Sequence, residues 1–321
     1  MIFMNYFYFD SQYHSSLIPS FLECASIAHR HNYVKSKMWF NWKFEENPFG
    51  KTILACAEEE GKIVGCVAYG MQPFILNNTI YNGVISFENF VHPNYQGQGV
   101  FSNLIKLAEK KALELDIDFM LVFPNKNSVR GYLKNNWLKL ESPEYWINFK
   151  NILNILKIKN LKNVFVPNKS NLSSISTPIS FEQQKHQENL YSLINLEYLD
   201  WRFFRYPVSN YKILDTSEFY SILRMGRRGV LNEAQVLFVN KKGNKKNNIN
   251  EFLKACRNKI EYDILSFSIS NNHPFKKGLK NNLFIKVPNR TNICFKILNE
   301  SKISEDILRS IYINAINYHT Y

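Results

Sequence analysis

The sequence predicts an α/β protein of two tandem domains, each a mixed, mostly antiparallel twisted sheet flanked by helices. Three observations carry that prediction. Strand-like runs and a hairpin give way to alternating helix and strand, the pattern of a mixed sheet with helices on its faces. A set of landmarks recurs in the same order in the second half. The 321 residues also exceed one ordinary domain and suit two.

The N-terminus from Met1 to Phe9 is apolar and aromatic, with no Lys, Arg or small-residue cleavage site, and reads as a buried strand and not as a signal peptide. Residues 15–30 follow as a helix. Trp39-Phe40-Asn41-Trp42 either lines a pocket or fills the core, and we read it as core. Ile53–Glu58 and Lys62–Tyr69 form a hairpin about Glu60-Gly61, and Val84–Val91 is the third strand. Phe101–Leu115 is a helix whose apolar face runs through Leu104, Ile105, Ala108, Ala112 and Leu115. Phe119–Phe123 is a short apolar strand and Ser128–Asn135 a helix. Trp137–Leu140 with Trp146–Phe149 closes the sheet. Residues 151–180, rich in Lys, Asn and Ser, form a linker. Beyond it, Phe219–Met225, Val230–Val239, Asp263–Ser268 and Phe284–Val287 read as strands and Glu251–Arg257 as a helix.

The duplication rests on two echoes. Trp42-Lys43-Phe44 with Pro48 matches Trp201-Arg202-Phe203 with Pro207, and a strand follows each. Asn125 stands as far before Leu133-Lys134-Asn135-Asn136 as Asn271 before Leu279-Lys280-Asn281-Asn282. Two matches in one order indicate a repeat, which places the domains at 1–150 and 181–321.

Net charge is +13, yet residues 1–150 hold 14 Lys+Arg against 14 Asp+Glu, so the excess lies wholly in the second half. That asymmetry suits either a polyanionic partner or a solvated lysine-rich face. No run of about 18 apolar residues is present, so no membrane span is expected. The 5 cysteines are scattered and odd in number, without a CxxC pair, which argues against disulfides and zinc and fits a reducing cytoplasm. His29-x-His31 lacks a third ligand, so no metal site is expected.

The sharpest local signal runs from a strand end into a helix: Phe90-Val91-His92-Pro93-Asn94-Tyr95-Gln96-Gly97-Gln98-Gly99-Val100-Phe101. Two glycines one residue apart leave backbone N–H groups unshielded, and the helix adds its positive end, which together suit a pyrophosphate. A tight strand–helix turn alone would also explain the pair.

This stretch resembles the central motif of the GNAT acyltransferases, with Phe101 where that family has a small residue. The family's next motif, Asn-x-x-Ala-x-x-x-Tyr-x-x-x-Gly-Phe, is matched in spacing by Asn125, Ser128, Tyr132, Asn136 and Trp137. The resemblance implies acetyl-CoA as co-substrate, held by Phe90, Val91, Gln96, Gly97, Gln98, Gly99, Val100 and Phe101, with Asn125 and Ser128 adjoining. It implies a pantetheine slot between the strands ending at Val91 and Phe123, and Tyr132 as general acid toward the CoA thiolate. Tyr132 is otherwise an ordinary core residue. Glu88, the only acid in Ile80–Val91, is either the general base, directly or through water, or a solvent-facing carboxylate on an edge, or one paired with Lys or Arg.

In the second copy, the repeat register sets Gly278 opposite Tyr132, and Asn240-Lys241-Lys242-Gly243-Asn244-Lys245-Lys246 stands where the glycine turn would be. That copy is read as degenerate and as shaping the acceptor site. The function expected is transfer of an acetyl or other short acyl group to a small amine. An amino sugar, anionic or nucleotide-linked, is one acceptor, and a homodimer is allowed. The alternatives are a Fem-type transferase using aminoacyl-tRNA, which the glycine turn counts against, and a non-catalytic acyl-CoA-binding scaffold.

Overall fold

The computed structural model describes residues 4–151, 153, 165–167, 188–205, 211–242, 249–289 and 291–318. The expected linker lies almost wholly outside the described residues, as does the lysine-rich loop from residue 243 onward. The chain forms two compact units: Met1–Leu140 with Asn292–Arg309, and Glu141–Thr291 with Ser310–His319. Each holds a mixed sheet with helices. Where the sequence divides the chain near residue 150, the units divide it at 140 and exchange segments.

The first unit contains β1 (Asn5–Tyr8), α1 (Ile18–His29), α2 (Lys37–Phe44), β2 (Ile53–Glu59), β3 (Lys62–Leu76), β4 (Thr79–Val91), α3 (Val100–Glu114), β5 (Phe119–Val122), α4 (Val129–Lys134) and β6 (Leu138–Leu140). The strand after β6, β7 (Glu144–Phe149), leaves this sheet. The second unit continues with β8 (Tyr211–Asp215), β9 (Phe219–Arg228), β10 (Leu231–Lys241), α5 (Ile249–Lys259), β11 (Ile264–Ile269), α6 (Lys276–Asn281) and β12 (Ile285–Val287). The last strand, β13 (Ile293–Ile297), belongs to the first unit's sheet, whose order is β1-β2-β3-β4-β5-β13-β6. The second sheet runs β8-β9-β10-β11-β7-β12. Each sheet therefore takes its penultimate strand from the other half of the chain. The expectation that Trp146–Phe149 closes the first sheet is corrected here. In its place, β7 is buried in the second sheet, with Ile147 fully covered and the Tyr145 hydroxyl donating to Glu233 at 2.6 Å.

Local chemistry accounts for the elements. The β2–β3 turn puts Glu60 and Gly61 at φ 51 and 77, the double left-handed geometry of a tight hairpin. On α3, Leu104, Ile105, Ala108 and Ala112 are fully buried, as their spacing demands. Leu115 is instead 42% exposed: the helix has ended, and Ile117 turns into the core in its place. Trp39, Phe40 and Trp42 are core residues. The strand β1 is an edge strand, half-exposed rather than buried, because it pairs on one side with β2 alone. All five cysteines are free and buried. Among the described residues, no helix is long and apolar enough to cross a membrane, and no group of three or more His, Cys, Asp or Glu is placed to hold a metal.

Both sheets share one irregularity. The strand β4 runs antiparallel to β3 and carries an extra residue, Phe87, between the pairs Ala68–Glu88 and Tyr69–Ser86. The pair β9–β10 bulges likewise, with Leu237 between Ile222–Phe238 and Leu223–Val236. Each bulged strand pairs with its parallel neighbour only before the bulge: β4 with β5 through Gly83 to Ile85, and β10 with β11 through Glu233 to Val236. A bulge twists a strand away from its neighbour, so the sheet opens there. An Asn–Asp clamp begins each parallel pair. The Asn82 N–H donates to the Asp118 carboxylate at 2.8 Å, and Asn232 does the same to Asp263 at 2.9 Å.

Candidate active site

The glycine turn lies where β4 leaves the sheet. Gly97 and Gly99 adopt φ 79 and 82, and a Cβ built on either would meet nothing within 4 Å. The glycines answer a backbone need, since the left-handed region costs other residues roughly 1–2 kcal/mol. Two side chains pin the turn from behind. Gln96 donates to the Val91 carbonyl at 3.0 Å, and Gln98 to the Asn94 carbonyl at 2.8 Å. Gly99 caps α3 without a side-chain bond, and the first helical bond is from the Asn103 N–H. The N–H groups of Val100, Phe101 and Ser102 precede it and lack an intrahelical partner, as helix starts must.

Phe101 stands where a small residue was expected, and the structure shows how it is housed. Its ring lies over Gly131 of α4, 2.8 Å from where a Cβ would be, and packs edge-on against Tyr132 with centroids 5.4 Å apart. Asn125 shapes the turn that leads into α4: its side-chain oxygen accepts from the N–H groups of Asn127 and Ser128 at 2.9 and 3.0 Å. The Ser128 hydroxyl donates to the same oxygen at 3.2 Å, so both side chains are engaged in holding α4. The helix ends with Asn136 at φ 59, the left-handed position that Asn tolerates.

The hydroxyl of Tyr132 reaches β4 beyond the point where β5 has departed. It accepts from Asn89 Nδ2 at 2.8 Å and from the Tyr69 hydroxyl at 3.4 Å. Asn89 is itself fixed, donating to Ser86 at 2.6 Å and accepting from the Ala68 N–H at 3.2 Å. Tyr132 is fully buried, and burial pushes its ionisation well above the usual tyrosine value, against smaller opposing effects of Tyr69 and Ser86. The phenol therefore keeps its proton at any ordinary pH. Trp137 packs against it at 4.9 Å and donates from the indole to Glu109 at 2.6 Å.

Glu88 faces the opposite way. Its carboxylate is 7% exposed and lies between Lys43 Nζ and His29 Nε2, each at 2.6 Å. Lys43 is itself 1% exposed. Burial alone would raise the Glu88 carboxyl, but the Lys43 ammonium, the His29 hydrogen bond and Lys35 together hold it far below the usual range. Lys35 is half-buried over the Trp39 ring, and burial followed by Lys43 brings its ammonium down to about 8. Sequence reading offered pairing with Lys or Arg as one role for Glu88 but named neither Lys43 nor His29. The cation of the Trp42-Lys43-Phe44 landmark was the available signal.

The second unit differs at the matching places, and the repeat register needs one correction. The side-chain amides of Asn135 and Asn282 each donate to the carbonyl four residues earlier, Gly131 in the first case and Gly278 in the second, both at 2.8 Å. Gly278 therefore matches Gly131, and Leu279, fully buried, stands where Tyr132 does. Phe238 holds the position of Glu88 after the bulge. The end of β11 is bridged by Asn314, and the Tyr318 hydroxyl bonds Ser268, so the C-terminal segment lies along the strand that diverges from β10.

Comparison with known proteins agrees with this geometry. The profile of the acetyltransferase (GNAT) family matches residues 14–137. No curated protein is similar in sequence. A GCN5-related N-acetyltransferase from Anabaena variabilis superposes with a TM-score of 0.61 at 12% identity, over 92% of this chain and 73% of that one. A probable N-acyltransferase from Enterococcus faecalis gives 0.61 at 11%, over 93% and 73%. A GCN5-related N-acetyltransferase from Kribbella flavida gives 0.56 at 9%, over 93% and 72%. At these identities the structures speak for the fold, and the motif-bearing segment fixes the family: residues 14–137 form a domain of the acetyltransferase (GNAT) family.

Proposed function

We propose that the first unit transfers a short acyl group, acetyl foremost, from acyl-CoA to a small amine. One observation carries the reading. Among the described residues, the edge of β4 after Ile85 has no strand partner on the β5 side, and it lies between the glycine turn at one end and the Tyr132–Asn89 pair. The residues fit acyl-CoA. The open Cβ directions at Gly97 and Gly99 and the uncapped start of α3 suit a pyrophosphate. The freed strand edge offers backbone groups to an amide-bearing pantetheine. Acyl-CoA supplies the activated thioester, and the chain's own groups do the rest. The backbone from Gln96 to Phe101 binds phosphate oxygens, with Phe90 and Val91 along the strand edge. Asn125 and Ser128 fix the helix that carries Tyr132. Asn89 orients the Tyr132 hydroxyl, which holds a proton for the departing sulfur. Buried thiols throughout suit a reducing cytoplasm.

The acceptor is an amine, and amino sugars, including anionic nucleotide-linked ones, are the class we would screen first. The second unit has neither a phenol at Leu279 nor a carboxylate at Phe238, and we assign it no donor site of its own. The test is calorimetry with acetyl-CoA on the wild type and Gly99→Trp. An indole at this open position fills the cradle without entering the core. Binding lost in a still-folded variant supports the reading. Failure of the folded wild type to bind acetyl-CoA or longer acyl-CoAs sinks it, and strongly salt-dependent tRNA binding would then favour the aminoacyl-tRNA alternative.

A further inference from the structure

We propose that His29 takes the proton released by the attacking amine, with Glu88 as the residue that positions it; this rests on the acyl-transfer reading above. Both carboxylate oxygens of Glu88 are engaged, one by Lys43 and the other by His29. A charged carboxylate accepts hydrogen bonds and donates none. The contact therefore places the ring proton of neutral His29 on Nε2 and leaves the lone pair on Nδ1. The two partners also differ in access: Glu88 is 7% exposed, whereas the His29 side chain is 33% exposed. Of the pair, the imidazole is the group an acceptor can reach.

Position supports the role. His29 is the last residue of α1, next to Arg30 in the left-handed conformation at φ 56. Its ring meets Phe90 edge-on at 5.9 Å, over the stretch of β4 that has left β5. Of the charged or titratable groups nearby, His31 stands beside the ring with centroids 5.8 Å away, and Lys43 and Lys35 act on the same Glu88 carboxylate. Together they disfavour a further cation, so an amine enters in its neutral form.

The amine lone pair forms the N–C bond to the thioester carbonyl carbon, and one N–H proton passes to His29 Nδ1. The C–S bond breaks with its electron pair on sulfur, and sulfur takes the Tyr132 proton. Solvent then returns a proton to Tyr132 and removes one from His29. An acceptor that arrives as an ammonium first loses one more proton to solvent.

The test compares wild type with His29→Gln, whose side-chain amide still donates to Glu88 but has no basic nitrogen. Thiol release from acetyl-CoA is followed with glucosamine, ethanolamine and lysine as acceptor probes. We expect turnover to fall about 10²–10⁴-fold, acetyl-CoA affinity to stay unchanged, and the acidic limb of the kcat/KM pH profile to vanish. A variant with wild-type rate and pH profile overturns the role of His29 and leaves acyl transfer standing. A folded wild type that neither binds acetyl-CoA nor releases thiol overturns both. Nitrogen NMR of the imidazole gives a readout free of activity: a neutral ring protonated on Nδ1 would refute the assignment.

Discussion

Lys43→Met tests the architecture on which the base site depends. Lys43 and Glu88 meet at 2.6 Å with side chains 2% and 7% exposed. At that distance and an effective dielectric of about 20, the attraction is roughly 6 kcal/mol. Desolvation of both ions offsets much of it, so the pair is close to neutral against an apolar replacement, whereas removing one partner costs about 3–5 kcal/mol. Methionine keeps the aliphatic stem packed but discards the ammonium, which also faces the rings of Trp39 and Phe87 at 4.7 and 5.5 Å. In a unit of this size that loss lowers Tm by roughly 10 °C. The double variant Lys43→Met, Glu88→Gln should regain most of it. Urea titration of wild type, both singles and the double closes the cycle. The pH dependence has a defined sign. The folded-state value of Glu88 is depressed, so its contribution is present above the ordinary 4.5 and is lost as pH falls below it. A single variant within about 1 kcal/mol of wild type, or a pair contribution unchanged from pH 7 to 3, refutes the reasoning.

Three further outcomes are expected. Tyr132→Phe should bind acetyl-CoA normally yet turn over about 10²–10⁴-fold more slowly. It should also lose about 1–3 kcal/mol of stability, because Asn89 forfeits a buried acceptor; full turnover in a thiol-release assay would remove the phenol from the chemistry. Gly131→Ala should destabilise by about 1–2 kcal/mol by crowding the Phe101 ring, in spite of alanine's better helix propensity, and adding Phe101→Ala should relieve the crowding. Thermal melts of the two variants decide it. Burial raises Tyr69, Tyr132 and Tyr145 above the ordinary 10.0, so the unfolded chain releases these protons first and stability falls as pH rises past 10. Phenolate absorbance should show these tyrosines ionising together with unfolding, and ionisation within an intact fold near pH 10 would contradict their burial.

What the sequence disclosed was local. Periodicity gave the α3 face through Leu104 to Ala112, and Glu60-Gly61 gave the hairpin. What it hid was pairing at a distance. An apolar run such as Tyr145-Trp146-Ile147 says strand without saying whose neighbour, so the strand exchange left no local trace. The partnership of Lys43 with Glu88 spans 45 residues, and Phe101 finds its room at Gly131, thirty positions away. The repeat register slipped for a related reason. In Leu133-Lys134-Asn135-Asn136 the composition matches Leu279-Lys280-Asn281-Asn282 best, whereas the bonds from the side-chain amides to the glycine carbonyls align Asn135 with Asn282.

That one-residue shift sharpens the contrast between the two units. Both keep the features that open a sheet: a bulge after the parallel pair, an Asn–Asp clamp before it, and a glycine on the following helix that admits a large side chain, Phe101 against Gly131 and Ile249 against Gly278. Both also bury a cation at the tryptophan landmark. Lys43 meets the Glu88 carboxylate, but Arg202, with Phe238 at the matching place on β10, donates to the Ile316 carbonyl at 3.0 Å in the C-terminal segment. The scaffold of the opening is therefore common to both units, while the phenol, the carboxylate and the glycine pair that would give it chemistry are gathered in the first. Were the opening alone sufficient for acyl-CoA, Gly99→Trp would leave binding at the second unit intact. A complete loss of binding in that variant is what this division of residues requires.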